Sequence, residues 1–206
     1  MNNQTESIAA YVDQNIVEPV IQPAGYYGVK IKECTVDDVD HLHAFQSMIY
    51  DFLHEDEKGF FLPKTKSFLT DHFNAGSQAI MVIHDGQVVG QALIVLPTVQ
   101  RPKTGMTDMD LPAPLESLSI IQGLSVHPKA RGLNIGNILI QAWLQVSEDE
   151  GRDNVLAETS QDNLYSWALF NKNDVPIVSE GVDLTDGTAL YNHHCSLKTG
   201  RKLSCI

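Results

Sequence analysis

The sequence predicts an α/β protein, an α+β mixed sheet built as one domain, and three observations carry that prediction. A chain of 206 residues, 43% hydrophobic and 19% charged, can bury one sizeable core but is short for two. Two Asp-Gly pairs, Asp85-Gly86 and Asp186-Gly187, each lie between β-leaning runs, and such a pair is the strongest short hairpin signal a sequence carries. Between the two pairs, residues 134–150 place Ile135, Ile138, Leu139, Ala142, Trp143 and Val146 at helical spacing, with Gly151 as terminator.

The elements follow in order. Residues 1–26 hold two short apolar patches, "IAAYV" and "IVEPVI", then Pro23 and Gly25, and are expected to form an arm or extra helix ahead of a single domain over 27–206. "YGVKIKEC" (27–34) alternates as a strand. Val36, Val39, Leu42, Phe45, Ile49 and Leu53 then recur on one helical face, with Thr35 or Asp37 available as cap. "HEDEKGFFLPKT" breaks this helix, and "KSFLTDHFNAG" forms a second one that ends at Gly76.

Residues 77–99 make two strands about Asp85-Gly86, and the Pro- and Gly-containing stretch 101–116 reads as a loop positioned to cover a site. In "SLSIIQGLSV" (117–126), Leu118, Ile120, Leu124 and Val126 are expected on one face of a strand, interrupted by Gly123. After the helix at 134–150 come the strand "NVLAETS", a helix "QDNLYSWALFNKN" capped from Ser160, and a closing hairpin about Asp186-Gly187. The order is β-α-α-β-β-β-α-β-α-β-β.

Composition excludes several classes. No apolar run reaches the roughly 18 residues needed to span a bilayer, and "MNNQTESIAAYVDQNI" lacks the basic and apolar regions of a signal peptide, so a cytoplasmic protein without a membrane partner is expected. Cys34, Cys195 and Cys205 are odd in number and far apart, which suggests free thiols and no metal. A formal charge of −12 argues against nucleic acid as partner, because such binding needs Lys and Arg. The same charge suits a cationic small substrate, and it also simply keeps a surface soluble.

The stretch that carries chemistry is "LSVHPKARGLNIGNILIQAWL" (124–144). A strand ending in "VHP", a turn with Arg131, Gly132 and Gly136, and a long helix would present several backbone N–H groups at a helix N-terminus, a natural anion site. Gly132 and Gly136 are expected to let the backbone curl and a phosphate come close. The stretch is neither a Walker loop nor a dinucleotide fingerprint. It resembles the acetyl-CoA-binding motif of the GNAT-type N-acetyltransferases, (R/Q)-x-x-G-x-(G/A), with Arg131, Gly132, Leu133, Asn134, Ile135 and Gly136 on its six positions. "NLYSWALFNKNDV" is similar to that family's second segment, N-x-x-A-x-x-L-Y and a Gly-Phe pair, with Asn163, Leu169 and Phe170 on the Asn, Leu and Tyr positions. The resemblance spans about residues 27–197 and includes the element order.

What the resemblance implies is an acyl-CoA N-acyltransferase fold: a central, mostly antiparallel sheet with splayed middle strands, flanked by helices. The amides of residues 131–136 would grip the coenzyme A pyrophosphate. The main chain of Leu124 and Val126 would pair with the pantetheine arm, with Asn163 reaching the same arm. An amine, small and cationic or on a protein, would attack the thioester of acetyl-CoA directly, without a covalent enzyme intermediate and without a metal.

The departures are equally specific. Asn134 stands at the middle glycine, Phe170 at the tyrosine that protonates the departing thiolate, and Asp174-Val175 at the Gly-Phe pair, so that corner is expected to turn differently. Ile120 and Gln122 stand where some relatives have a glutamate, which leaves Glu158 as the candidate base. "HEDEKG" (54–59) borders the acceptor region and either attracts an amine or is a solvated acidic loop. His193 and His194 face opposite ways on the last strand. The alternative to a transferase is a module of the same fold that binds coenzyme A as a sensor or interaction domain, and a homodimer using the arm is compatible with both.

Overall fold

The computed structural model describes residues 28–102, 104, 106 and 112–197; the expected N-terminal arm lies outside them. The elements are β1 (Val29–Cys34), α1 (Val39–Phe52), α2 (Lys66–Asn74), β2 (Gln78–His84), β3 (Gln87–Val95), β4 (Leu118–Val126), α3 (Ile135–Asp149), β5 (Asn154–Ser160), α4 (Leu164–Lys172), β6 (Ile177–Val182) and β7 (Ala189–Ser196). Seven strands form one sheet in the order β1-β2-β3-β4-β5-β7-β6. Every neighbouring pair is antiparallel except β4 and β5, so the sheet is mostly antiparallel as expected.

Local chemistry explains the boundaries. Thr35 accepts from the Asp37 N–H while the Asp38 carboxylate accepts from the Thr35 N–H, a capping box over a single 3-10 turn, Val36–Asp38. That turn rotates Val36 out of the apolar stripe expected of it, leaving it 45% exposed. Asp85 and Gly86 both take positive φ, 50° and 76°, the geometry of a type I′ hairpin. The second hairpin is looser, because residues 183–188 separate β6 from β7 and Asp183 N–H donates to Thr188 across them.

Two apolar layers cover the two faces of the sheet. On one face Val39, Leu42 and Leu69 from α1 and α2 pack against Ala79, Met81, Leu93, Leu118, Ile120 and Leu156. On the other, Ile135, Ile138, Leu139, Trp143 and Val146 of α3 and Phe170 of α4 pack against Ile80, Val82, Ile94, Val155 and Ala157. Trp143 Nε1 donates to Ser119 Oγ at 2.9 Å, and Ser147 Oγ donates to the same oxygen at 2.7 Å. This buried pair of bonds fixes α3 beneath β4.

Candidate active site

The site begins at a bulge. Gln91 pairs with Ser125 and Leu93 with Gln122, so Gly123 and Leu124 of β4 oppose the single residue Ala92 of β3. Gly123 takes φ 57° there, a left-handed value that suits glycine at a bulge. The extra residue reverses the phase of the strand. Leu118 and Ile120 face the layer of α1 and α2, whereas Leu124 and Val126 pack against the layer of α3, which corrects the expectation that all four share one face.

β4 and β5 then part. Their parallel pairing covers only Leu118–Ile120 against Asn154–Leu156, so the remainder of each strand borders a gap. His127 N–H donates to Val89 O at 2.8 Å, and strand alternation therefore turns the main-chain groups of Val126 away from β3 and toward the gap. Leu124 belongs to the bulge, where the ladder is interrupted.

The turn after β4 holds its shape through two left-handed residues. Gly132 takes φ 86° and Asn134 takes φ 61°, and Asn134 is the N-cap of α3. Asn is among the few residues with a side chain that visit this region readily, which accounts for its standing where the motif has glycine. Two of the six amides expected to grip a phosphate are partly committed: Arg131 N–H donates to Pro128 O and Leu133 N–H to Ala130 O, each at 3.2 Å. The first i→i−4 bond runs from Ile138 to Asn134, so the N–H groups of Ile135, Gly136 and Asn137 stand at the open end of α3. Arg131 is exposed beside them.

Gly136 has a packing reason as well. A Cβ there would come within 2.7 Å of Leu169 Cδ2, and one on Gly90 would come within 2.7 Å of Ile135 Cγ2. These two glycines let α4 and β3 press against the start of α3 and so position the helix end.

The second motif segment is equally ordered. Asn163, not Ser160, caps α4, accepting from Ser166 N–H through its side chain at 3.2 Å. Asp174 takes φ 57°, Val175 N–H donates to Phe170 O and Asp174 N–H donates to Asn171 O, the bonding pattern of a Schellman ending. The corner therefore turns left-handed at Asp174, a conformation open to Gly without strain, and Val175 is fully buried. Phe170 lies in the core, 6.2 Å from Trp143 and 5.1 Å from His193 between ring centres.

His193 is buried, bonded to Thr159 Oγ1 and to Val175 O at 3.0 Å each, and burial holds it below its ordinary pKa of 6.5. His194 is half-buried and meets Asn154 Oδ1 at 3.0 Å. In the 54–59 stretch two acids are used locally: Lys58 pairs with Glu55 at 2.5 Å, and Glu57 accepts from His54 N–H at 3.2 Å.

Glu158 lies opposite Asn192 of β7 and two residues beyond Leu156, so alternation puts it on the face covered by α1 and α2. Sequence reasoning missed what meets it there. Lys64, in the segment before α2, is held by Gln46 Oε1, which accepts its N–H at 2.7 Å, and by His43, whose Nδ1 meets its carbonyl at 3.0 Å. Burial depresses the Lys64 ammonium, against the opposing pull of the Glu158 and Asp183 carboxylates. The Lys64 ammonium lies over the Phe68 ring, 5.1 Å from its centroid, while its backbone partners come from α1, so no local pattern in the sequence marks this placement. Among the described residues no group of three His, Cys, Asp or Glu side chains could hold a metal, and no helix is long and apolar enough to cross a membrane.

A family model described as acetyltransferase (GNAT) family matches residues 42–174, while no curated protein matches. Among solved structures, an acetyltransferase of the GNAT family from Streptococcus pneumoniae superposes with TM-score 0.62 at 13% identity, covering 82% of this chain and 99% of that one. A putative acetyltransferase from Salmonella typhimurium, solved with its cofactor acetyl-CoA, gives 0.61 at 14% identity over 84% and 96%. The ribosomal-protein-alanine N-acetyltransferase from Brucella melitensis gives 0.60 at 18% identity over 81% and 99%. These likenesses carry the fold, and the family match carries membership: the chain belongs to the GNAT acetyltransferase family.

Proposed function

We propose that the protein transfers an acetyl group from acetyl-CoA to an amine by direct attack, in a single domain and in a cytoplasmic setting. The observation that supports this most is the junction of three features: the gap between β4 and β5, the open N-terminus of α3 at one end of it, and Glu158 on its far strand.

The residues fit the cosubstrate. Ile135, Gly136 and Asn137 offer N–H groups to a pyrophosphate at the positive end of α3, with Arg131, Leu133 and the left-handed Gly132 and Asn134 shaping the turn. Val126, with Leu124, offers main-chain groups to the pantetheine arm, and Asn163 borders it from the cap of α4. The thioester supplies the activated acyl group. Glu158 accepts the proton of the attacking amine; the C–N bond forms, the C–S bond breaks, and the thiolate leaves. Because Phe170 has no proton to give, solvent protonates that thiolate, and positioning contributes most of the rate.

Phe170 also favours a second reading, a coenzyme A-binding module without catalysis. Two measurements separate the readings. Acetyl-CoA and coenzyme A should each raise the thermal midpoint, since a ligand that binds only the folded state stabilises it. Absence of a shift at saturating ligand overturns both. Thiol release with an amine then supports transfer, and a shift without release across an amine panel supports the binding module.

A further inference from the structure

Around the β4 bulge, on the side covered by α1, four uncharged polar side chains come together. Gln91 of β3 pairs with Ser125 of β4, and Leu93 pairs with Gln122. Leu93, and Met81 opposite Gln91 on β2, belong to the layer of α1 and α2, so alternation puts Gln91, Ser125 and Gln122 on that face too. Gln46 of α1 reaches the same place from above, its Nε2 standing 3.9 Å from where a Cβ on Gly123 would be.

Gln91 is 1% exposed and Ser125 5%. Yet the oxygen and nitrogen of the Gln91 amide, the Ser125 hydroxyl and Gln122 Oε1 all lack a hydrogen-bond partner among the described residues. Two of the amides have a fixed sense: Gln122 Nε2 donates to Thr104 O and Gln46 Oε1 accepts from Lys64 N–H, each at 2.7 Å, and a carbonyl only accepts while an N–H only donates. Gln122 therefore offers an acceptor, Gln46 turns a donor toward the bulge, and Gln91 with Ser125 offers both.

A buried polar group without a partner costs about 1–3 kcal/mol, and here that cost is concentrated on and beside the strand that borders the gap. None of the four side chains ionises, and Met81 and Leu93 beside Gln91 are apolar. A charged group set between Gln91 and Ser125 would give up its hydration for neutral partners only. A neutral group that both donates and accepts would satisfy the atoms left unpaired.

The patch also lies at a set reach from the reacting end. Gln122 and Glu158 each stand two residues beyond Ile120 and Leu156, the last pair of β4 with β5, and so border the gap on the same face. From Leu93, opposite Gln122, to Gln91, opposite Ser125, is two residue steps of β3, about 7 Å.

We infer that the acceptor is an amine carrying a neutral amide within about 7 Å of it, with the amine between Gln122 and Glu158 and the amide at Gln91 and Ser125. An amide holds one C=O and one N–H in a plane, the complement of a glutamine side chain, and it occurs in peptides and in amino-acid amides alike. This deepens the transferase reading and rests on it.

The test is thiol release from acetyl-CoA with short peptides bearing a free α-amine, amino-acid amides, the matching free amino acids, simple alkylamines, polyamines and aminoglycosides. Amide-bearing amines should exceed the matching acids and alkylamines by at least about tenfold in kcat/KM. Peptides ahead of amino-acid amides would identify a polypeptide as the source, and the reverse order a small molecule; either order supports the inference. Free amino acids, polyamines or aminoglycosides reacting as fast as the amide-bearing amines would overturn it and leave transfer standing. Gln91→Met should remove the preference chiefly through KM, keep the acetyl-CoA thermal shift, and hold or raise the melting midpoint of the free protein, because it deletes unpaired buried groups. Ser125→Ala should show the same split. A preference that survives both variants, or a midpoint that falls in both, overturns the inference. If acetyl-CoA binds and no amine reacts, the transferase reading fails and the inference with it.

Discussion

Leu169 fills the space that a side chain at Gly136 would need, its Cδ2 standing 2.7 Å from the ideal Cβ position. The start of α3 and the middle of α4 are thus in direct register, and the two motif segments are one packing unit. Gly136→Ala should cost up to about 1 kcal/mol, because overpacking against the end of Leu169 exceeds what the better helix propensity of Ala returns, read as a lower denaturation midpoint. Adding Leu169→Ala should recover part of that loss, because the clash is pairwise, whereas simple additivity of the two substitutions would rule the contact out as the cause.

Asn134 provides a backbone test. At φ 61° a β-branched residue is strained while glycine is not. Asn134→Val should lose about 1–2 kcal/mol of stability and weaken the thermal shift given by coenzyme A, whereas Asn134→Gly should keep the shift. Equal weakening by both substitutions would assign the effect to the Asn side chain instead of the backbone.

Stability should fall as pH drops through the ordinary histidine range. His193 is held below 6.5 by burial, and His127 and His194 move the same way. The sign follows from proton counting: below about pH 6.5 the unfolded chain binds protons that the folded chain refuses, so acid favours unfolding. His193→Gln should flatten the pH dependence of Tm between about pH 7.5 and 5.5. An unchanged slope would show that His193 is not its source.

Glu158→Gln should lower kcat by roughly 10²- to 10³-fold if the carboxylate accepts the amine proton, with the acetyl-CoA thermal shift retained. The acidic limb of the pH-rate profile should vanish with it. A variant with native kcat would move the base elsewhere.

The order of strands and helices was legible in the chain because each element carries its own period and its own stop, as at Asp85-Gly86 and Gly76. The strand-turn-helix step around Arg131 to Gly136 was legible too, since those residues are contiguous. Gly123 was visible as an interruption, but its effect on side-chain phase depends on pairing with Ala92, which no local window contains. The same holds for Gly136, whose partner lies one helix away, and for Asp174, which reads as a lost glycine until its left-handed φ is known. Glu158 and Asn192 come opposite each other only once β5 and β7 have paired.

The short pairing of β4 with β5, Leu118–Ile120 against Asn154–Leu156, leaves two half-sheets joined along a narrow seam, with strand edges beyond it that do not pair with each other. An extended chain of amide groups lying in that opening would act as a missing strand. The protein's rigidity would then be borrowed from its cosubstrate, and slowed hydrogen exchange at Val126 in the presence of acetyl-CoA would report the sheet closing from within.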